Sequence, residues 1–282
     1  PAIREAIGAS SSSSVCFVPM ATEPSRATSW IAPTLTAFVC LAAWELAVRG
    51  LEVPVFQLPP PSDIVRKMFS EWRMFWRESI PTLTAILLGF GVAVLVGVPI
   101  ATTMVYSPLF RRSVQLILLT AQVLPKVALA PLFIVWFGFG LLPKVLMTFL
   151  IAFFPIVIDS VVGLASVRPE SLMLVRSMGA SRWQAFWTIR LPYALPSMFG
   201  GFKVAITFAV VGTLVAEFVG SDSGLGYVLM LARGNLDTLT VFAAIGWLVV
   251  IGFAFFYAVE VLERFVLRHR GSHRAHELGA GL

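Results

Sequence analysis

Long, uninterrupted apolar segments dominate this chain, and they lack the alternation of apolar and polar residues that is typical of strands. A helix needs about 20 apolar residues to cross a hydrocarbon core of ~30 Å. Six segments are long enough: about Trp30–Val48, Leu83–Tyr106, Val114–Phe137, Leu141–Leu164, Ala194–Ala216 and Leu239–Leu262. The pattern therefore predicts an all-α, polytopic membrane protein with about six transmembrane helices.

The stretch PSDIVRKMFSEWRMFW, between the first two segments, has a different, amphipathic pattern. Charged residues lie opposite apolar residues that recur at helical spacing, namely Ile64, Met68, Trp72, Phe75 and Trp76. The pattern predicts one helix that begins with a Ser-Asp cap after Pro61 and lies in the membrane interface on the outer side. A simple brace for the neighbouring helices is the preferred interpretation of this interfacial element.

The composition agrees with a membrane protein. Of the 282 residues, 58% are hydrophobic and 13% are charged, and the mean hydropathy is +0.87. Soluble domains have roughly 45–50% apolar and about 25% charged residues. Cys16 and Cys40 lie in a low-complexity tail and an apolar run, so they do not indicate a disulfide framework.

The positive charge is distributed unevenly between the loops. If the N-terminus is cytoplasmic, twelve Lys and Arg residues lie on the cytoplasmic side and seven on the other. The positive-inside rule therefore predicts that both termini are cytoplasmic. Because this topology accounts for the net charge of +6, the charge does not indicate a nucleic-acid partner.

The pattern also predicts a domain organisation. Residues 1–27 contain a five-serine run and are expected to be disordered, and we hypothesise that the native protein begins at Met20, with 1–19 not native. The remaining divisions are 28–48 (first transmembrane helix), 49–80 (outer loop), 81–266 (transmembrane core) and 267–282 (basic cytoplasmic tail). All three histidines lie in that tail, so no metal site within the bilayer is predicted.

A polar segment, residues 165–193, interrupts the apolar pattern between the fourth and fifth spans. Pro169 suits the first turn of a short helix that runs to Met178, and Gly179 stands where a left-handed C-cap is expected. Ser181 is the predicted N-cap of a second helix, 182–189, which Leu191-Pro192 is expected to close. A long loop with its own capped helices usually has a function, which favours a docking element over an ordinary surface loop.

This polar segment resembles the EAA motif, the cytoplasmic signature of bacterial ATP-binding-cassette (ABC) importer permeases, and we therefore call residues 165–193 the coupling segment. The matching residues are Glu170, Gly179, Ala180, Ser181, Arg182, Leu191 and Pro192, whereas Met173–Val175 occupy the place of the usual Glu-Ala-Ala. From about Leu58 onward, further stretches such as ALAPLFIVWFGFG and EFVGSDSGLGYVL look like the permeases that import nitrate, sulfonates, taurine or thiamine-pyrimidine precursors.

The resemblance implies the type I (MetI-like) permease fold in the bacterial inner membrane. It also implies a homodimer, a periplasmic or lipid-anchored substrate-binding protein, and cytoplasmic ATPase subunits that receive the helix carrying Arg182 and Trp183. None of the four lysines follows a phosphate-binding glycine-rich loop. The chain is therefore predicted not to be an enzyme and to have no catalytic residue and no cofactor. ATP and Mg²⁺ are expected to be used by the partner ATPase.

Polar residues within spans are candidates for the substrate pathway, because burying them in lipid is costly. Gln122, Lys126 and Glu217 are the candidates, and a cationic Lys126 favours a small anionic solute. A thiamine-pyrimidine precursor or a riboflavin-like solute is the alternative. The resemblance places the glycine-rich stretch with Gly220, Gly224 and Gly226 near the outer gate and the docking surface for the binding protein.

Two other classes of function remain as alternatives. A stand-alone ion-coupled transporter or channel would have inverted repeats and carboxylates in the middle of the membrane. A membrane enzyme would need clustered His, Cys or carboxylate residues, which the spans lack.

Overall fold

The computed structural model describes residues 28–268, and helices are the only regular elements in this part of the chain. They are α1 (Thr28–Gly50), α2 (Pro61–Ser70), α3 (Trp72–Tyr106), α4 (Pro108–Val123), α5 (Ala130–Phe137), α6 (Leu141–Ala165), α7 (Pro169–Ser177), α8 (Arg182–Ala185), α9 (Leu191–Val219), α10 (Leu225–Gly234) and α11 (Thr238–Arg268). The predicted tail 1–27, the start at Met20 and residues 269–282 lie outside this range.

The chain divides into two units, residues 1–47 and 48–282. The first is described through α1, which coincides with the first predicted span. In the second, α3, α6, the continuous helical run Arg182–Val219 and α11 are long and apolar enough to cross a membrane. The all-α, polytopic prediction is confirmed, while the number of six spans stays a prediction.

The predicted third span, residues 114–137, is not one straight helix. Its two halves, α4 and the run Lys126–Phe137, meet at an angle of 85°. Leu124 is extended (φ −63°, ψ 132°), as the residue before a proline prefers, and a 3₁₀ turn (Lys126–Leu129) leads into α5. The sequence contains Pro125, but the size of the bend depends on the packing around it.

Helix α6 lies at the centre of the second unit and packs along α3 and α9. Small residues allow the close approach, because a Cβ on Gly89 or Gly212 would meet Thr148 of α6 at 3.0 Å or less. At this crossing the buried hydroxyls of Thr148 and Thr213 form a 2.6 Å hydrogen bond. Glycines on both neighbours of α6 thus fix the spacing of the bundle.

The amphipathic stretch 61–76 forms two helices rather than one. Helix α2 ends at Ser70, and Glu71 (φ −110°, ψ 24°) separates it from α3, which begins at Trp72. The predicted Ser-Asp cap is also wrong: Pro61 is the first helical residue, and Pro60 precedes it without a side-chain cap. A proline at the first helical position loses no hydrogen bond, so the helix begins earlier than the cap pattern indicates.

Helix α2 packs against the beginning of α11, as expected of a brace. Lys67 lies 3.9 Å from Asp237, which accepts hydrogen bonds from the backbone N–H and the hydroxyl of Thr240 in the first turn of α11. Burial raises the pKa of Asp237, but these hydrogen bonds and the Lys67 ammonium outweigh it and lower the pKa.

Candidate functional site

The coupling segment folds around a left-handed glycine. The N–H of Gly179 donates to the carbonyl of Arg176 at 3.0 Å, and the N–H of Ala180 donates to that of Val175 at 3.2 Å. This pair of bonds is the Schellman motif, and Gly179 has the positive φ of +84° that the motif requires. The predicted break after α7 is confirmed.

Ser181 begins the next helix through a reciprocal capping box. Its hydroxyl accepts from the N–H of Gln184 at 3.2 Å, and the Gln184 side chain accepts from the N–H of Ser181 at 2.8 Å. Both interactions satisfy backbone donors that lack a partner at a helix start. The sequence indicated the Ser181 cap, and Gln184 three residues later completes the motif.

The predicted stop at Leu191-Pro192 is wrong. Helix α8 continues through a π-helical turn (Phe186–Arg190) into α9, in which Leu191 and Pro192 are the first residues. In the π turn the N–H of Leu191 donates to the carbonyl of Phe186, five residues earlier. The widened turn takes up the proline, whose ring would otherwise clash with the preceding turn. The short helix is therefore continuous with a membrane-spanning helix.

Exposed apolar side chains surround the glycine turn. Met173 and Leu174 of α7, Met178 at the turn and Trp183 at the start of α8 are each more than 60% exposed, and Trp187 is 52% exposed. Trp183 packs edge-to-face on Trp187, with 5.4 Å between ring centroids. We call these five residues the coupling patch. Exposed apolar clusters of this kind mark interaction surfaces or lipid contacts.

Gln122 and Lys126 line one cavity of about 490 Å³. Its other lining residues are Leu124, Ile151, Phe154, Pro155, Ile158, Asp159 and Phe208. The ammonium of Lys126 lies over the Phe154 ring, 4.6 Å from the centroid. The 85° bend before α5 and the proline within α6 together form the cavity, so two of the three predicted pathway residues converge there.

Glu217 lies elsewhere, in a buried network at the other end of the bundle from the coupling segment. Its carboxylate, fully buried near the end of α9, accepts from the hydroxyl of Thr82 (2.9 Å), the ammonium of Lys144 (3.4 Å) and the N–H of Gly226 (2.8 Å). Lys144 also donates to the carbonyl of Ser223 at 2.7 Å. The network joins α3, α6 and α9 to the loop before α10.

The glycine-rich stretch wraps around this carboxylate. Gly224 has φ +111°, and its N–H donates to Glu78 at 3.0 Å; a Cβ at this position would overlap the Glu217 carboxylate. A Cβ on Gly226 would lie 2.5 Å from the Cβ of Glu217. Gly220 (φ 177°) is extended, and a Cβ there would meet Ile134 of α5. The absence of side chains at these positions therefore permits the close packing.

Three residues of these sites were missed by sequence reasoning: Thr82, Glu78 and Lys144. Nothing in the sequence relates Lys144 to Glu217, 73 positions later. Lys144 and Thr82 begin apolar segments, where polar residues usually mark a membrane boundary. Asp159 of α6, which is not among the predicted pathway residues, also lines the cavity with Lys126.

These features define a class: a multi-pass helical membrane protein with a capped helix-turn-helix between two spans and, among its helices, a mostly apolar cavity that contains a few polar side chains. The chain belongs to the family described as the binding-protein-dependent transport system inner membrane component, which matches residues 89–268.

Relatives and solved structures agree with the family. Over 239 residues the chain is 33% identical to the formylaminopyrimidine transport permease protein ThiX of Halalkalibacterium halodurans, covering 84% of this chain and 95% of the relative. Over 228 residues it is 30% identical to the taurine transport system permease protein TauC of Escherichia coli, covering 78% and 82%. A chain of the MetNI methionine ABC transporter, solved in inward-facing conformations, is 21% identical with a TM-score of 0.59, covering 71% of this chain and 97% of that chain.

The chain is thus the permease component of an ABC importer with the expected MetI-like fold. ATP hydrolysis belongs to a separate ATPase subunit, and the permease is not an enzyme. Family membership excludes the stand-alone transporter and the membrane enzyme that the sequence left open.

Proposed function

We propose that this permease imports a small anionic solute of the nitrate, sulfonate or taurine type, and that the cavity lined by Lys126 and Gln122 is part of its path. One observation carries the proposal: the Lys126 ammonium lines a cavity of about 490 Å³ and makes no ion pair within residues 28–268. A cation in a span is costly unless it meets a partner, and such residues commonly mark a substrate path.

The dimensions and surroundings of the cavity support this path. Small-molecule sites typically enclose about 300–1,000 Å³, with mostly apolar walls and a few polar groups that orient the ligand. The cavity has this character, because Phe154, Phe208 and Ile151 provide apolar walls and Gln122 adds an amide donor. Similarity to the taurine permease agrees with an anionic group on the solute.

The position of the cavity supports a homodimer. Gln122 is exposed in the single chain, and its helix, α4, has no buried residue. Polar groups exposed to lipid would be unfavourable, so a second copy that covers this side would enclose the path. The remaining exposed apolar surface then contacts lipid.

The coupling segment links the permease to its motor. The coupling patch offers Trp183 and neighbouring apolar side chains to a cleft on a cytoplasmic ATPase subunit, with Glu170 and Arg182 beside it. Because α8 continues into α9, movement of the ATPase would act on a membrane-spanning helix. Mg²⁺ and ATP bind to that partner, and both termini of the permease are cytoplasmic in this arrangement.

The Glu217 network lies at the opposite end, which is the outer side in this orientation. The loop with Gly220, Gly224 and Gly226 forms part of the outer gate and of the surface that receives a periplasmic or lipid-anchored binding protein. The buried ion pair behind the loop holds it in a defined shape.

A heterocyclic solute such as a thiamine-pyrimidine precursor or riboflavin is the second candidate. Phe154 and Phe208 line the cavity and could contact an aromatic ring. Similarity to the formylaminopyrimidine permease agrees with this candidate.

The test is uptake by proteoliposomes that contain the permease with the ATPase and binding protein from neighbouring genes. Labelled taurine, nitrate, an aliphatic sulfonate, an aminopyrimidine and riboflavin are compared with and without internal ATP. We expect ATP-dependent uptake of an anionic solute and a loss of at least about tenfold in Lys126→Gln. Uptake of a heterocycle alone, unaffected by this substitution, would refute the anionic path.

A further inference from the structure

The cavity lined by Lys126 also contains a carboxylate. Asp159 of α6 is one of its lining residues. Among the described residues, neither the Lys126 ammonium nor the Asp159 carboxylate belongs to an ion pair. The Ser197 hydroxyl bonds to the backbone carbonyl of Asp159 at 3.0 Å and not to its carboxylate. Two opposite charges therefore line one cavity without pairing to each other.

A glycine on the neighbouring helix makes room for the carboxylate. A Cβ on Gly201 of α9 would lie 2.6 Å from the Cβ of Asp159 and 2.8 Å from its Oδ2. Any side chain at position 201 would have to displace Asp159. The packing of α6 against α9 therefore accommodates the carboxylate in its present position.

The other intramembrane lysines of the described chain are already paired. Lys144 pairs with Glu217 at 3.4 Å, and Lys203 pairs with Glu263 at 2.5 Å. Pairing is the usual condition of a charge that is removed from water. Lys126 and Asp159 have no ion-pair partner among the described residues, and both line the same cavity.

A ligand with a single negative charge would suit only half of this arrangement, since Lys126 would attract it and Asp159 would repel it. A ligand with both charges would suit both groups. We propose that the cavity binds a zwitterionic solute, with its anionic group on Lys126 and Gln122 and its ammonium group on Asp159. This inference rests on the proposed function and narrows its anionic solute to one that also carries a cation.

The test compares taurine with isethionate, in which a hydroxyl replaces the ammonium group at nearly the same size. Equilibrium dialysis of the labelled solutes is carried out on the permease–ATPase complex in nanodiscs. Nucleotide and binding protein are omitted, so that selectivity of the binding protein does not contribute. The variants are Asp159→Asn, Lys126→Gln and Gly201→Ala.

In the wild type, we expect taurine to bind at least about tenfold more tightly than isethionate, the factor that a charge-assisted hydrogen bond provides. Asp159→Asn should weaken taurine binding by about tenfold and leave isethionate binding unchanged or tighter. Lys126→Gln should weaken the binding of both solutes. Gly201→Ala should reduce the preference for taurine without changing any charge, because it displaces Asp159.

The matched control is Glu260→Gln, which removes a carboxylate from α11 that does not line the cavity. It should leave both affinities unchanged. Equal affinity of the wild type for the two solutes, or an unchanged preference in Asp159→Asn, would overturn the zwitterion inference.

The outcomes separate this inference from the function on which it rests. If isethionate binds as well as taurine and Lys126→Gln weakens both, the anionic path stands and the zwitterion inference falls. If neither solute binds the wild-type complex, both fall. Gel filtration of each variant identifies any loss of assembly. If a charge-removing variant does not assemble, Gly201→Ala is compared with the wild type instead, because it keeps both charges.

Discussion

The ammonium of Lys144 lies 3.4 Å from Oε1 of Glu217, and almost no solvent reaches either side chain. The two residues come from α6 and α9, and hydrogen bonds from Thr82 and Gly226 occupy the remaining positions around the carboxylate. A buried ion pair is tolerated when further hydrogen bonds satisfy its atoms, as they do here. This pair therefore ties α6 and α9 together at the end of the bundle that lies opposite the coupling segment.

Removing one member of the Lys144–Glu217 ion pair should destabilise the protein more than removing both. Lys144→Met leaves the Glu217 carboxylate buried without its cation, and we expect the free energy of unfolding to fall by about 3–5 kcal/mol. Denaturant unfolding of the detergent-solubilised protein measures it. The double variant Lys144→Met with Glu217→Gln should recover part of the loss, because no uncompensated charge remains.

The control is Lys67→Met. Lys67 lies 2.8 Å from Glu71 and 3.9 Å from Asp237 on a partly exposed surface, and loss of each such pair costs about 1 kcal/mol or less. Equal effects of the two lysine substitutions would contradict the importance of burial.

Gly224→Ala should disturb the same network from the loop. The residue has φ +111°, and its Cβ would overlap the Glu217 carboxylate, so strain of about 1–3 kcal/mol adds to the displacement of the carboxylate. Gly234→Ala is the matched control, since a Cβ there meets nothing within 4 Å. Thermal unfolding should show a lower midpoint for the first variant and little change for the second. A lower unfolding midpoint for Gly234→Ala than for Gly224→Ala would contradict the role assigned to Gly224.

Gly179→Val should uncouple transport while the permease still inserts. The backbone at φ +84° is costly for a β-branched residue, although a Cβ there finds open space. The turn would therefore rearrange, and substrate-stimulated ATP hydrolysis of the reconstituted complex should be lost. Gly179→Asn should keep most of the stimulation, because asparagine tolerates the left-handed conformation. Full stimulation in the valine variant would refute the coupling role.

Trp183→Ala should weaken binding of the ATPase subunit. The side chain is 68% exposed and belongs to the coupling patch, and truncation of an interface tryptophan often costs 2 kcal/mol or more, about thirtyfold in affinity. Biolayer interferometry with the purified ATPase measures the affinity. Trp72→Ala, a half-exposed tryptophan at the start of α3, is the control and should have no effect. Similar losses in both variants would indicate a general effect on folding.

The sequence determined those features that depend on local chemistry. Apolar segments of about 20 residues predict membrane helices because that length is needed to cross the lipid core, and Gly179 and Ser181 predict a helix break because backbone conformation and capping are local properties. The motif around them also identified the family before any contact was known. Prolines were harder to interpret, since Pro192 continues a helix through a π turn whereas Pro125 stands at an 85° bend.

Only the tertiary structure decided which polar residues meet. In the sequence, Glu217 and Lys126 look the same, because each is an isolated charge within an apolar segment. Packing of α6 against α9 gives Glu217 a buried partner, while the bend before α5 leaves Lys126 in a cavity with Asp159. The physical reason is that the role of a charged residue in a membrane protein depends on the residues packed around it. Those residues lie tens of positions away along the chain.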